Sequence, residues 1–147
     1  MLNDLRFELS FKNTFQLENK LNFCISNNIN KINIPCKGVI KKDFLNETIK
    51  YIGENYKNLD VTYHYSLYHQ YAKNREYSYL EFLNFIKKCK FYQNKEILLV
   101  SGSNKKKNFE VLDVLRDINN EKNLNIDIGT AYNPYLKNHY NICGERE

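Results

Sequence analysis

Polar and apolar residues alternate over residues 6–12. Phe7, Leu9 and Phe11 fall on one side, and Glu8, Ser10 and Lys12 on the other. A period of two is the signature of a β-strand with two unlike faces. Residues 31–35 repeat it, with Ile32 and Ile34 set against Asn33 and Pro35. Residues 60–66 do so again, with Val61, Tyr63 and Tyr65 against Thr62, His64 and Ser66. A further strand is expected over residues 125–131, running into Gly129-Thr130-Ala131-Tyr132-Asn133-Pro134-Tyr135.

Between these segments the period lengthens to that of a helix. Leu17, Leu21, Cys24 and Ile25 form one stripe, with Thr14 as the expected cap. Leu45, Ile49, Ile52 and Tyr56 form a second, capped by Asp43. Ser78 and Glu81 have capping-box spacing ahead of Leu83, Ile86 and Cys89. Val111, Leu115 and Ile118, flanked by Phe109 and Leu112, mark a fourth helix.

Residues 96–100 break the alternation. Ile97, Leu98, Leu99 and Val100 are the longest aliphatic run, and they end at Ser101-Gly102-Ser103. Such a run predicts a strand buried on both faces. The loop leaving its carboxyl end is where α/β folds place ligands.

The elements alternate as (βα)4β. That order predicts a single α/β domain over residues 1–147, with a parallel sheet, strand order 1-2-3-4-5 and right-handed crossovers. An open doubly wound sheet would make the central strands aliphatic throughout. The first three strands instead carry a polar residue at every second position. Glu8, Ser10, Asn33, Thr62 and His64 would then share one concave face, as on the inner wall of a barrel. A whole barrel needs about 250 residues, so the expectation is a partial TIM barrel.

Composition narrows the function. The chain has 147 residues, enough for one core, and a net charge of +5. That charge permits anionic ligands without demanding nucleic acid. Cys24, Cys36, Cys89 and Cys143 are far apart, and the three histidines do not cluster. Neither a disulfide framework nor a metal site is expected. No apolar stretch reaches the about 20 residues of a membrane span, and no signal-peptide core opens the chain. A cytoplasmic protein is the expectation.

Four stretches, in order, resemble the methylenetetrahydrofolate reductase family. Phe7-Glu8-Leu9-Ser10-Phe11 resembles the Phe-Glu-Phe-Phe-Pro start of that family's barrel. Thr62-Tyr63-His64-Tyr65-Ser66 is similar to its Pro-His-Leu-Thr-Cys or His-Ile-Thr-Cys. Leu99-Val100-Ser101-Gly102-Ser103 sits where the family has Leu-Arg-Gly-Asp or Leu-Thr-Gly-Asp. Residues 128–135 look like the Val-Gly-Ala-Ala-Ala-Asn-Pro-Phe of distant members. The likeness implies the first part of a flavin-dependent (β/α)8 barrel, truncated before its sixth strand.

By that resemblance the cofactor is FAD, the electron source a nicotinamide donor and the substrate a folate-like molecule. Glu8 is the implied acid near the folate. His64, Ser101, Gly102, Ser103, Ala131, Tyr132 and Asn133 are the implied flavin cradle. Two residues depart from the pattern. Ser103 replaces a carboxylate, and Pro35 stands where many members have a flavin-holding Thr. With strands six to eight also missing, the resemblance implies a chain that does not reduce folate alone. Its open edges imply a homo-oligomer or a completing partner chain.

The residues also bear plainer readings. Glu8 on an inward face must be paired, protonated or functional, because a buried lone carboxylate is costly. Lys105-Lys106-Lys107 beside the Ser-Gly-Ser turn could cradle phosphate or simply be a solvated loop. Asn133-Pro134 could only turn the chain. Tyr63, Tyr65, Tyr68 and Tyr71, with His69 and Lys73, could stack on bases but serve packing equally well. Three classes therefore stand: a folate–flavin oxidoreductase, a non-catalytic binding or interaction module built on that barrel, and a basic nucleic-acid-binding domain.

Overall fold

The computed structural model describes residues 5–35, 42–67, 73–100, 111–121 and 123–131. Of residues 42, 43, 111, 112 and 131 it describes the backbone alone. Strands and helices alternate: β1 (Phe7–Glu8), α1 (Thr14–Ser26), β2 (Lys31–Ile34), α2 (Lys42–Asn55), β3 (Asp60–Ser66), α3 (Arg75–Phe91), β4 (Glu96–Val100), α4 (Val111–Asn120) and β5 (Asp127–Ala131). The five strands are parallel in the order β1-β2-β3-β4-β5. The α/β class and the strand order are those expected from the alternation.

Register fixes which residues share a face. Phe7 lies beside Ile32, and Ile32 beside Val61. Ile34, Tyr63, Ile97 and Ile128 form the next row, and Tyr65 pairs with Leu99. Those residues belong to one hydrophobic core or pack against it, Phe7 excepted. Leu17, Leu21 and Cys24 of α1, Leu45, Ile49 and Ile52 of α2, Phe82, Phe85 and Ile86 of α3, and Val114 and Ile118 of α4 fill the same core. Tyr65 stacks on Phe82 at 4.9 Å, and Tyr63 meets Phe85 edge-on. All four helices therefore cover one face of the sheet. Sequential parallel order with crossovers of one hand requires this.

The opposite face carries Glu8, Asn33, Thr62, His64, Ser66, Leu98 and Val100 by alternation. Here β4 corrects the sequence reading. Ile97 and Leu99 are buried, but Leu98 and Val100 are only half-buried. The run is aliphatic on both sides, yet helices cover only one.

Local signals explain the other differences. The cap of α1 is Asn13, one residue before Thr14; its Oδ1 accepts the Gln16 N–H at 2.9 Å. At its far end Asn28 takes φ 57°, a left-handed conformation that Asn tolerates. The Ile29 N–H then closes on the Cys24 carbonyl at 2.8 Å, turning Ile29 toward the core. Ile25, expected on the inner stripe, is exposed. Asp43 lies inside α2 rather than ahead of it. Asn74 caps α3 by accepting the Tyr77 N–H at 2.8 Å. Ser78 and Glu81 lie inside that helix, buried and one turn apart, so their capping-box spacing does not mark its start. Asn125, at φ 49°, delays β5 to Asp127. β1 is shorter than its alternating pattern, although the Leu9 N–H still bonds the Asn33 carbonyl.

Arg6 leans across the amino-terminal end of the bare face. Its Nη2 lies 2.7 Å from Asp60 Oδ2 on β3 and 4.0 Å from Glu96 Oε2 on β4. Thr62 Oγ1 donates to Glu96 Oε2 at 3.3 Å. From β1 to β4 is about 14 Å in a flat sheet, so the residue just ahead of β1 converges here with side chains of β3 and β4.

Cys24 and Cys89 are buried free thiols, and burial pushes the Cys89 thiol up to about 12. Gly53 in α2 is set by a close approach: a Cβ there would meet the Tyr92 ring at 2.3 Å. Ala favours a helix over Gly by about 1 kcal/mol. Gly53→Ala should nonetheless lower stability by about 1–3 kcal/mol through that clash. In a Tyr92→Ala background the same change should stabilise by up to about 1 kcal/mol. Urea unfolding of the four proteins of this cycle checks the sign reversal.

Candidate functional site

The bare face is built by β1 to β5, and each of the five strands brings at least one polar residue to it: Glu8, Asn33, Thr62, Glu96 and Asp127. Glu8 is paired in register with Asn33, and Asn33 with Thr62. His64 lies two residues further along β3, beside Leu98, which neighbours Gly129. Ser66, Val100 and Ala131 form the last row at the carboxyl ends of their strands. On β3 the polar positions continue through His64 and Ser66, whereas β4 turns aliphatic beyond Glu96 with Leu98 and Val100.

Two buried atoms on this face lack hydrogen-bond partners among the described residues: Asn33 Oδ1 and His64 Nε2. A buried polar atom left unmet costs about 1–3 kcal/mol. Native folds leave few of them, and such atoms often mark a site that something else completes. Burial lowers the His64 pKa from its ordinary value, and the nearby Glu8 carboxylate opposes that shift. The imidazole is therefore neutral near pH 7. Its Nε2 can donate or accept, according to which nitrogen holds the proton.

The sequence candidates fare unequally. His64 is on the bare face, half-buried, with one unmet nitrogen. Glu8 shares the face but is exposed, which corrects its reading as a buried lumen carboxylate. β1 has β2 on one side and, among the described residues, no strand on the other, so the edge lets solvent reach Glu8. Burial therefore gives no argument for a function of Glu8; its placement near His64 does. Ala131 ends β5 opposite Val100. Ser101, Gly102, Ser103, Tyr132 and Asn133 lie outside the described residues. Asn33 was not among the sequence candidates. Its signal was present, however, as the one polar inward position on β2 between Ile32 and Ile34.

No three Asp, Glu, His or Cys side chains gather as a metal site among the described residues. No helix among them is long and apolar enough to cross a membrane. No protein-family model, curated protein or solved structure matches the chain.

The environment of His64 has a pH consequence. The unfolded chain takes up a proton near pH 6.5 that the native imidazole refuses until lower pH. Stability should therefore fall as pH drops from about 6.5 through the native value. His64→Gln should flatten this part of the pH–stability curve. NMR titration should place His64 below its ordinary pKa, and Glu8→Gln should lower it further. A His64 pKa that rises in Glu8→Gln would contradict the arrangement.

Proposed function

We propose that the chain is a partial (β/α) barrel of the methylenetetrahydrofolate reductase type, and that its bare face binds a flavin without reducing folate by itself. The observation that carries this reading is the pair of buried unmet atoms, Asn33 Oδ1 and His64 Nε2, on one sheet face beside Glu8. The sequential strand order, the single helix-covered face and the convergence of Arg6, Asp60 and Glu96 support a curved barrel wall.

The residues fit the pyrimidine edge of an isoalloxazine. That edge offers an N–H to Asn33 Oδ1, and its ring carbonyls and nitrogens suit His64 Nε2. Leu98, with Gly129 beside it, offers an apolar floor next to His64. FAD bound there would supply hydride-transfer chemistry. The chain's own part is to hold the ring edge and keep the His64 imidazole neutral. Glu8, exposed at the rim, is the candidate acid toward a folate-like substrate, with a nicotinamide donor as the electron source. Ser103 supplies no charge where the family has a carboxylate, and lost charge in a site weakens stabilisation of developing charge. Strands β1 and β5 are the proposed edges at which a second copy or a completing chain adds.

Titrating FAD into the purified chain tests the reading, through flavin fluorescence and its visible band. Binding with a Kd of about 1–100 μM is expected. Asn33→Leu and His64→Leu should each weaken it about tenfold or more while the far-UV spectrum is kept. Absence of binding at about 1 mM FAD would sink the proposal. Oxidation of a nicotinamide donor with methylenetetrahydrofolate should stay at background. Turnover that vanishes in Glu8→Gln would overturn the non-catalytic part.

A further inference from the structure

The loops that lead into β3 and β4 enclose a second cleft, of about 670 Å³. It lies at the amino-terminal ends of the strands, the opposite end from the last row of the bare face. Tyr56, Lys57, Phe91, Tyr92, Asn94 and Lys95 line it. Its volume is in the range of small-molecule sites, about 300–1,000 Å³.

Several features of this cleft are not required by the fold. Phe91 ends α3 with 78% of its surface exposed, although a large ring normally seeks cover. Tyr92 meets it edge-on at 4.9 Å and is held against the α2 backbone at Gly53. Asn94 Nδ2 donates to the Val61 carbonyl at 3.3 Å. Its buried Oδ1 has no partner among the described residues. Lys57 and Lys95 are exposed cations on adjacent loops. Of the two carboxylates in the lining, Asp60 is held by Arg6, which leaves Glu54 against two lysines.

We propose that this cleft binds a nucleoside monophosphate, or a ligand of the same chemistry: a planar heteroaromatic ring joined to a phosphate. The ring lies against Phe91 and Tyr92, whose π faces accept any base. The phosphate is met by Lys57 and Lys95, which bind it as point charges. The tight seat of Tyr92 at Gly53 sets one wall before the ligand arrives, which reduces the ordering cost of binding. The site is separate from the flavin face and does not depend on it.

The test is an amide NMR titration of the full chain with AMP, adenosine and inorganic phosphate. AMP should shift amides in residues 54–61 and 91–95 with a Kd below about 1 mM. Adenosine and phosphate alone should each bind about tenfold more weakly or worse, because each offers half of the contacts. Phe91→Ala should weaken AMP about tenfold. Lys57→Glu and Lys95→Glu, made singly and together, should weaken it by a similar factor and reduce its salt dependence. These three side chains are exposed, and unfolding midpoints confirm that each variant is folded. The proposal is overturned if AMP shifts nothing up to about 10 mM, or if its shifts map to Glu8, Asn33 and His64 instead. It is equally overturned if affinity is unchanged by Phe91→Ala or by the charge reversals.

Discussion

The constraint on which everything else depends is that one sheet face receives every helix. Parallel strands in sequential order allow no other arrangement when all crossovers share a hand. One row of each strand therefore packs with Leu17, Ile49, Phe82 or Val114 in the core, and the polar residues of the other row stand outside that core. The covered rows are apolar because they form the only extensive core described. The uncovered rows are released from that demand and can hold Glu8, Asn33, Thr62 and His64. A doubly wound sheet would have forced those positions to be aliphatic.

This division explains which parts of the fold were legible in the sequence. The period of two in residues 60–66 gives both the bounds of β3 and its two faces, because the outward and inward residues differ in chemistry. In β4 they do not differ. Ile97 and Leu98 are chemically alike, so the text of the chain cannot say that one is covered and the other half-exposed. Caps failed for a different reason. Asn13 and Thr14 both suit a helix start, and the decision rests on a backbone geometry that composition does not encode. Ser78 and Glu81 have the spacing of a cap and also the spacing of one helix turn, and burial against the sheet decides between them.

The candidate site was legible by face and not by depth. Alternation puts Glu8, Asn33 and His64 together, and pairing register then sets their neighbours. Depth depends on the position of a strand within the sheet. Glu8 is on an edge strand and exposed, while His64, on the central strand β3, is half-buried. The same side-chain pattern thus yields an exposed carboxylate and a desolvated imidazole. Burial holds the imidazole toward its neutral form.

The polar groups of the bare face differ in how they are satisfied. At the amino-terminal end, Arg6 reaches over β2 to Asp60 and Glu96, and Thr62 donates to Glu96. Arg6 balances one of the two carboxylates, and the other accepts from the Thr62 hydroxyl. The carboxamide oxygen of Asn33, in the same row as Thr62, and the Nε2 of His64, one row nearer the carboxyl ends, are buried with no such partner among the described residues. His64, one row beyond Thr62, carries part of that unmet capacity toward the carboxyl ends of the strands, where α/β folds hold their ligands. It is this placement, more than any single residue type, that makes the Asn33–His64 region the place to look for a bound ring.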